Sequence, residues 1–288
     1  MKHTLAFVLL GSSSIAVAQP AGAPAQPTYF DPNAIAVPAV SDPLRTPGFA
    51  TLDRLDANSR VGGELSYLIL DGSSDGTALR FDIHGHYVDP ASGIGGYANL
   101  PMSLLLGDSD SNFELAGAEV GGLFVKRLSP ELGIVVRGGV VLPTAQEDFD
   151  SLIQNAIAMY ARPADIIASS PSTVIRLSGS PIFRSGQVFG RIDVGLDFLA
   201  DSDTDNNALL RVAPGIGFDG GTFAVTGELT VFRGVGGSNG NNVTSFGAVS
   251  ARFLSGRTTP YAALVFPLDE DLRQLVKAAV TLGVEAQL

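Results

Sequence analysis

The 288-residue sequence contains no cysteine and no tryptophan, and only 16% of it is charged. Without cysteine there is neither a disulfide framework nor a thiolate metal site. No apolar run reaches the ~18 residues that a membrane-spanning helix needs, so a membrane could be crossed only by strands. Basic residues are scarce: 18 Lys and Arg stand against 29 Asp and Glu. That balance argues against a nucleic-acid partner. The missing tryptophan leaves Tyr67, Tyr87, Tyr97 and Tyr261 as candidates for an interfacial aromatic girdle.

What the chain does have begins with Met1-Lys2-His3, an apolar run from Leu5 to Leu10, and Ala16-Val17-Ala18. These match a secretory signal over residues 1–18, cleaved before Gln19. Residues 19–57 are rich in proline and alanine. Pro20, Pro24, Pro27, Pro32, Pro38, Pro43 and Pro47 forbid a continuous helix or a central strand. This stretch is expected to be a periplasmic leader, with a segment tucked into the following domain as the alternative.

From Ser59 onward the pattern is alternation. Val280, Leu282 and Val284 share one face with Val276 and Ala278, while Lys277, Thr281 and Glu285 share the other. Successive strand side chains point to opposite faces. One face is therefore apolar and the other small or polar. Val61, Leu65, Tyr67 and Ile69 alternate with Glu64 and Ser66 in the same way, and Ile83 and Tyr87 with Asp82, His84 and His86. Twelve such segments can be counted, one of them running unbroken from about 113 to 127 and another interrupted by Pro101.

The connections are sorted. Those after odd-numbered segments, such as 144–170, are mostly long and rich in Asp, Asn, Ser and Gly; those after even-numbered ones, such as Ser185-Gly186, are short. A soluble sandwich has no reason to sort its loops. An outer-membrane barrel has long extracellular loops, short periplasmic turns and an even strand number. The expected fold is all-β: a twelve-stranded antiparallel transmembrane barrel over 58–288, in the bacterial outer membrane.

Three stretches carry a resemblance: Tyr97-Ala98-Asn99-Leu100-Pro101, the alternating segment Phe113 to Arg127, and Gly138-Gly139-Val140-Val141-Leu142-Pro143-Thr144-Ala145. They resemble Gram-negative outer-membrane barrels of the transporter type associated with phenol-degradation (meta-pathway) gene sets. The resemblance implies a barrel that moves small molecules, apolar ones included. Ala145 and the terminal Leu288 depart from the Gly and Phe usual there.

The polar faces supply the candidate lumen lining: Glu64, Arg80, Asp82, His84, His86, Arg137, Arg191, Asp193, Asp197, Glu228, Lys277 and Glu285. Charges of both signs across a narrow lumen pair with each other, so they could line a pore or fill it. His84 and His86 at i, i+2 are a weak metal candidate, as are Asp201, Asp203 and Asp205, which lack the Gly and Glu of an EF-hand. Ser66 with His84 is the one nucleophile–base pair the pattern allows. No metal, cofactor or catalytic residue is assigned.

Phe149, Leu152, Ile153, Ala156, Ile157 and Tyr160 recur at helical spacing, and Pro163 ends the run. This helix is expected to dock by its apolar face and to cap or constrict the barrel. The leading function is a passive channel or transporter, not an enzyme. The alternatives are a structural or surface-interaction barrel with a filled lumen, and a lipid or ester hydrolase using His84 or His86. Expected partners are outer-membrane lipid and lipopolysaccharide, the barrel-assembly machinery and an unidentified solute.

Overall fold

The computed structural model describes residues 42–71, 77–107, 111–200, 208–235, 243–254 and 256–288. The proposed signal, the leader up to residue 41 and the acidic loop with Asp201, Asp203 and Asp205 lie outside them.

Strands follow one another antiparallel around a closed ring. They are β1 (Arg60–Leu70), β2 (Thr77–Val88), β3 (Ile94–Leu106), β4 (Ser111–Leu115), β5 (Glu119–Arg127), β6 (Leu132–Val141) and β7 (Val174–Ser185). The rest are β8 (Val188–Leu199), β9 (Ala208–Asp219), β10 (Phe223–Val235), β11 (Val243–Phe253), β12 (Thr258–Pro267) and β13 (Val276–Gln287). β1 closes the ring on β13, from Arg60↔Gln287 to Leu70↔Val276. β4 and β5 both pair with β3 and form one interrupted stave, so the barrel has twelve. Among the described residues no helix is long and apolar enough to cross a membrane.

The interruption corrects the unbroken 113–127 segment. Met102 faces Leu115 while Asn99 faces Glu119, so the β4–β5 stave holds one residue more than β3 across the gap. That is a bulge, and it reverses which parity points inward: Glu114 before it, Glu119 after it. Pro101 sits opposite the gap, where its carbonyl accepts from Ala116 N–H at 3.1 Å. Lacking an N–H, proline suits the place where a ladder is broken.

Burial is inverted relative to a water-soluble protein. Arg80, Arg176, Arg191, Arg211 and Arg252 are among the largest fully buried side chains, while Leu282 and Ile216 are 59% and 58% exposed. Outward apolar residues meet across the ladder, as Leu65↔Leu282 and Tyr67↔Val280 do. A wall that is apolar outside and charged inside fits a lipid-embedded barrel.

The girdle is thinner than the sequence suggested. Tyr67 and Tyr87 are exposed on the outer wall, but Tyr97 and Tyr261 point inward and are buried. Each lies over glycine: Tyr97 reaches across Gly121 of β5 to Gly139 of β6, and Tyr261 lies over Gly283 of the adjacent β13. A Cβ at Gly139 would come within 2.1 Å of the Tyr97 hydroxyl, and one at Gly283 within 2.3 Å of the Tyr261 ring. The missing side chains make room for the rings, whose hydroxyls donate to Glu119 at 2.7 Å and Glu64 at 2.5 Å.

Candidate functional site: the occupied lumen

The inward faces bring together most of the charged residues expected there. Glu64, Arg80, Asp82, His84, His86, Arg137, Arg191, Asp193, Asp197, Glu228 and Glu285 are all buried in the lumen. Lys277 is not among them. It stands where the β1–β13 register slips between Ile69↔Ala278 and Leu70↔Val276. There it is exposed and pairs with Asp71 at 2.8 Å. The same slip turns Val276 inward, into an apolar cluster with Leu68, Ala78 and Ala279.

Two segments of the chain occupy the space between these walls. The first is 42–59, most of which was expected as the end of a periplasmic leader. It enters at the short-turn rim, where Asp42 pairs with Arg127 at 2.7 Å and the Arg45 carbonyl accepts from Arg184 at 3.1 Å. It rises into the lumen and returns to the same rim, where Asn58 meets Gln287 at 3.2 Å. Leu44 and Leu55 pack on Val88, Leu123, Val125, Val135 and Ile182. Phe49 and Leu52 pack on Phe189 and Ala213. For the described part of the 19–57 stretch, the lumen is therefore the position found. Its charges explain why: Arg54 bonds Glu64 and Asp82 at 2.7 and 2.9 Å, and Asp53 bonds Arg137 at 2.6 Å. Asp56 bonds Arg60 at 2.6 Å.

The second occupant is the long loop between β6 and β7, which comes in from the opposite rim. It carries helix α1 (Phe149–Met159) and a 3-10 helix (Pro163–Ser169). The broken stave anchors it: Gly117 N–H donates to the Ala168 carbonyl at 2.7 Å and the Thr144 hydroxyl to the Ala116 carbonyl at 2.5 Å. Asp148 caps α1, its carboxylate accepting from Ser151 N–H at 3.0 Å.

α1 docks by the face opposite to the one expected. Ser151, Gln154, Asn155, Ala158 and Met159 are buried, whereas Phe149 is 74% exposed, Ile153 is exposed, and Leu152, Ile157 and Tyr160 are half-buried. The wall it meets is polar. Asn155 accepts from the Ser103 hydroxyl at 2.7 Å, and Gln154 donates to the same hydroxyl at 3.1 Å. Only Ile157 and Tyr160 of the apolar stripe reach an apolar part of the lumen, and Tyr160 stacks on Phe246 at 5.6 Å.

The two occupants meet in mid-barrel. Arg162 of the loop donates to the Ala50 and Leu52 carbonyls of the N-terminal segment. Beside it Asp165 accepts from Arg80 at 2.8 Å. Arg80 also binds Glu64, and Asp82 at 2.9 Å. Arg176 joins Glu119 at 2.6 Å and Asp197 at 3.0 Å. Arg252 joins Glu285 at 3.1 Å and lies over the Tyr261 ring, 4.2 Å from its centroid. Taking so many charges out of water costs several kcal/mol per ion unless each is paired, and this network pairs nearly all of them. What space remains between the segment and the His84–His86 wall is a cavity of about 30 Å³.

Several of these groups carried no signal of their own in the sequence. Asp53, Arg54 and Asp56 stand in a proline-rich stretch with no periodicity to place them. Arg162 and Asp165 flank Pro163, the proline that ends the helical pattern. Their one visible mark was charge placed between apolar residues, as in Leu52-Asp53-Arg54-Leu55-Asp56.

The hydrolase constellation is not assembled. Ser66 faces Arg80 across the β1–β2 ladder and bonds the Thr281 hydroxyl at 2.7 Å, while His84 faces Gly62 and its Nδ1 lies 2.7 Å from Asp82. Among the described residues no group of three or more His, Asp or Glu side chains is arranged to hold a metal ion.

Neither a protein-family model nor a curated protein matches the chain. Solved structures do match in fold. The NanC porin is similar at 10% identity, covering 80% of this chain and all of the porin, with a TM-score of 0.51. An outer-membrane channel from Pseudomonas putida F1 is similar at 10% identity, covering 85% of this chain and all of the channel, with a TM-score of 0.55. The fold of this chain is thus a closed antiparallel β-barrel similar to those of these two outer-membrane proteins.

Proposed function

We propose that the chain is an outer-membrane channel for small molecules, held shut by two segments of its own sequence. The outward apolar belt and the sorted rims support membrane insertion, with lipid and lipopolysaccharide against the outer wall. Export through a cleaved 1–18 signal and insertion by the barrel-assembly machinery belong to the same reading. The fold shared with the two channels above supports transport.

One observation carries the gate. The barrel closes strand to strand by itself, β1 on β13, and the N-terminal occupant adds no strand to it. Its hold on the lumen consists of side-chain contacts and of main-chain groups bonded to side chains. It can leave while every stave stays paired. The wall then exposed carries charge of both signs, which suits polar solutes better than the apolar ones the family resemblance implies.

The test is conductance in planar lipid bilayers, wild type against a Phe49→Ser/Leu52→Ser double variant that removes the two apolar anchors deepest in the segment's turn, those on Phe189 and Ala213, and leaves the wall intact. The variant should open far more often than wild type while keeping the heat-dependent gel mobility of a folded barrel. If neither conducts, the lumen is permanently filled and the chain is a structural barrel.

A further inference from the structure

The N-terminal segment is held in an unusual way. From Phe49 to Leu55 its main chain bonds to side chains of other elements. Ala50, Thr51 and Leu52 N–H donate to the Glu228 carboxylate at 2.8, 2.6 and 3.2 Å. Asp53 N–H donates to Asp193 at 2.7 Å. In the other sense, Arg252 donates to the Phe49 carbonyl at 2.9 Å, Arg162 to the Ala50 and Leu52 carbonyls, and Arg191 to the Leu55 carbonyl. Just before this stretch, Arg60 donates to the Thr46 carbonyl at 2.6 Å.

Buried main-chain N–H and C=O groups must be paired, and here acids and arginines of the lumen pair them. Such bonds are charge-assisted, roughly twice as strong as neutral ones. They read a feature common to every peptide and indifferent to side-chain identity. Side chains add to this: Arg54 and Asp53 pair with Glu64, Asp82 and Arg137, Leu55 packs on Val88 and Leu123, and the stretch has an apolar socket. Phe49 and Leu52 fill it against Phe189 and Ala213, and a Cβ at Gly215 would come within 2.7 Å of the Phe49 ring and 3.0 Å of Leu52.

From this we infer that the lumen is a peptide-binding site, occupied here by the chain's own residues 49–55, and that short peptides with apolar side chains at spacing i, i+3 are its solute class. This rests on the channel reading above and narrows it. The carboxylates of Glu228 and Asp193 on one part of the path and the guanidinium groups of Arg252 and Arg191 on another match the donors and acceptors of any extended or turning peptide. An apolar solute leaves all of them unpaired, which costs binding free energy for each group buried without a partner.

The experiment uses the full-length Phe49→Ser/Leu52→Ser variant, whose own segment has lost its hold on the Phe189–Ala213 socket. A synthetic end-blocked peptide of residues 48–57, with the wild-type sequence, is added to the bilayer chamber. It should block the open current in a concentration-dependent manner. The same peptide N-methylated at the residues matching Thr51 and Leu52 keeps every side chain but loses two charge-assisted bonds. Its block should be weaker by about a hundredfold. A peptide of the same length with alanine in place of Phe and Leu should still bind, more weakly than the parent. Equal block by the N-methylated and parent peptides, or no block of a conducting variant by any of them, overturns the inference and leaves the channel reading standing. Should the variant not conduct, the same peptides are titrated, fluorescently labelled, against the folded variant in detergent. Binding that is lost on N-methylation then upholds the peptide site while the channel reading falls, and absence of binding removes both.

Discussion

Thr51 gives both its backbone N–H and its hydroxyl to one carboxylate oxygen of Glu228, at 2.6 and 2.7 Å. Ala50 and Leu52 add their N–H groups to the same carboxylate, at 2.8 and 3.2 Å. One side chain of β10 thus fixes three consecutive residues of the segment that fills the lumen. Glu228→Gln keeps the shape and removes the charge. Loss of charge assistance should loosen the segment by about 1–3 kcal/mol, which raises the open fraction roughly fivefold to 150-fold. Single-channel recording measures it, and an unchanged open fraction would show that the segment is held elsewhere.

Arg80 is fully buried and binds Glu64, Asp82 and Asp165. Arg80→Met leaves three carboxylates short of a partner. A loss of about 3–5 kcal/mol follows from breaking a buried ion pair, read as a lower urea midpoint for the folded gel band. Lys277→Met is the contrast. Its pair with Asp71 has both side chains well exposed, and exposed pairs contribute ~0–1 kcal/mol.

The outer wall offers a depth-sensitive test. Leu282, 59% exposed and near the middle of β13, should tolerate arginine poorly in vesicles, by roughly 2–4 kcal/mol if it faces the bilayer midplane. A water-facing leucine with this exposure would accept arginine without loss.

The inverted docking of α1 predicts an inverted mutational pattern. Ile153→Ser changes an exposed residue and should move stability by no more than about 0.5 kcal/mol. Asn155→Leu adds hydrophobicity to the helix but removes the acceptor of the Ser103 hydroxyl and the side-chain donor to the Leu115 carbonyl. It should cost about 1–3 kcal/mol. Thermal unfolding of the two variants, compared in one detergent, gives the order.

Asp148 makes the start of α1 sensitive to acid. The Ser151 backbone N–H, then its side chain, hold the Asp148 carboxyl below its ordinary value. A depressed folded-state value means that the cap's contribution is complete above the ordinary aspartate range. It fades as pH falls through the folded value. Amide exchange at Ser151, corrected for its intrinsic pH dependence, should show protection lost on acidification in wild type and retained in Asp148→Asn, which caps without titrating.

The staves and their two faces were legible because period-2 alternation survives wherever one side meets lipid and the other the lumen. Leu65, Tyr67, Val280 and Leu282 outside, and Glu64, Asp82 and Glu285 inside, could each be placed by counting. Ala116-Gly117-Ala118 could not, since three small residues carry no phase and hid the one-residue bulge that turns Glu119 inward. Lys277 was misplaced for the same reason, one slip of register at the rim. The helix misled by a sound rule applied to the wrong surroundings: apolar stripes seek a core, but the inside of this barrel is polar, and Asn155 and Gln154 suit it better. The lumen segment left the weakest trace. Its bonds are made by its main chain to side chains far away in sequence, such as Glu228 and Arg252, and no local spacing records them.

Both ends of the lumen segment lie at one rim, Asp42 beside Arg127 and Asn58 beside Gln287, and the long loop likewise hangs from the other rim at Leu142 and Thr173. Neither is threaded. Each is a bight pushed into a tube and not a cord passed through it, so withdrawal needs no free end and no parting of the β1–β13 seam. The barrel can therefore finish closing before its contents arrive, and the contents can be exchanged afterwards without any step of unfolding.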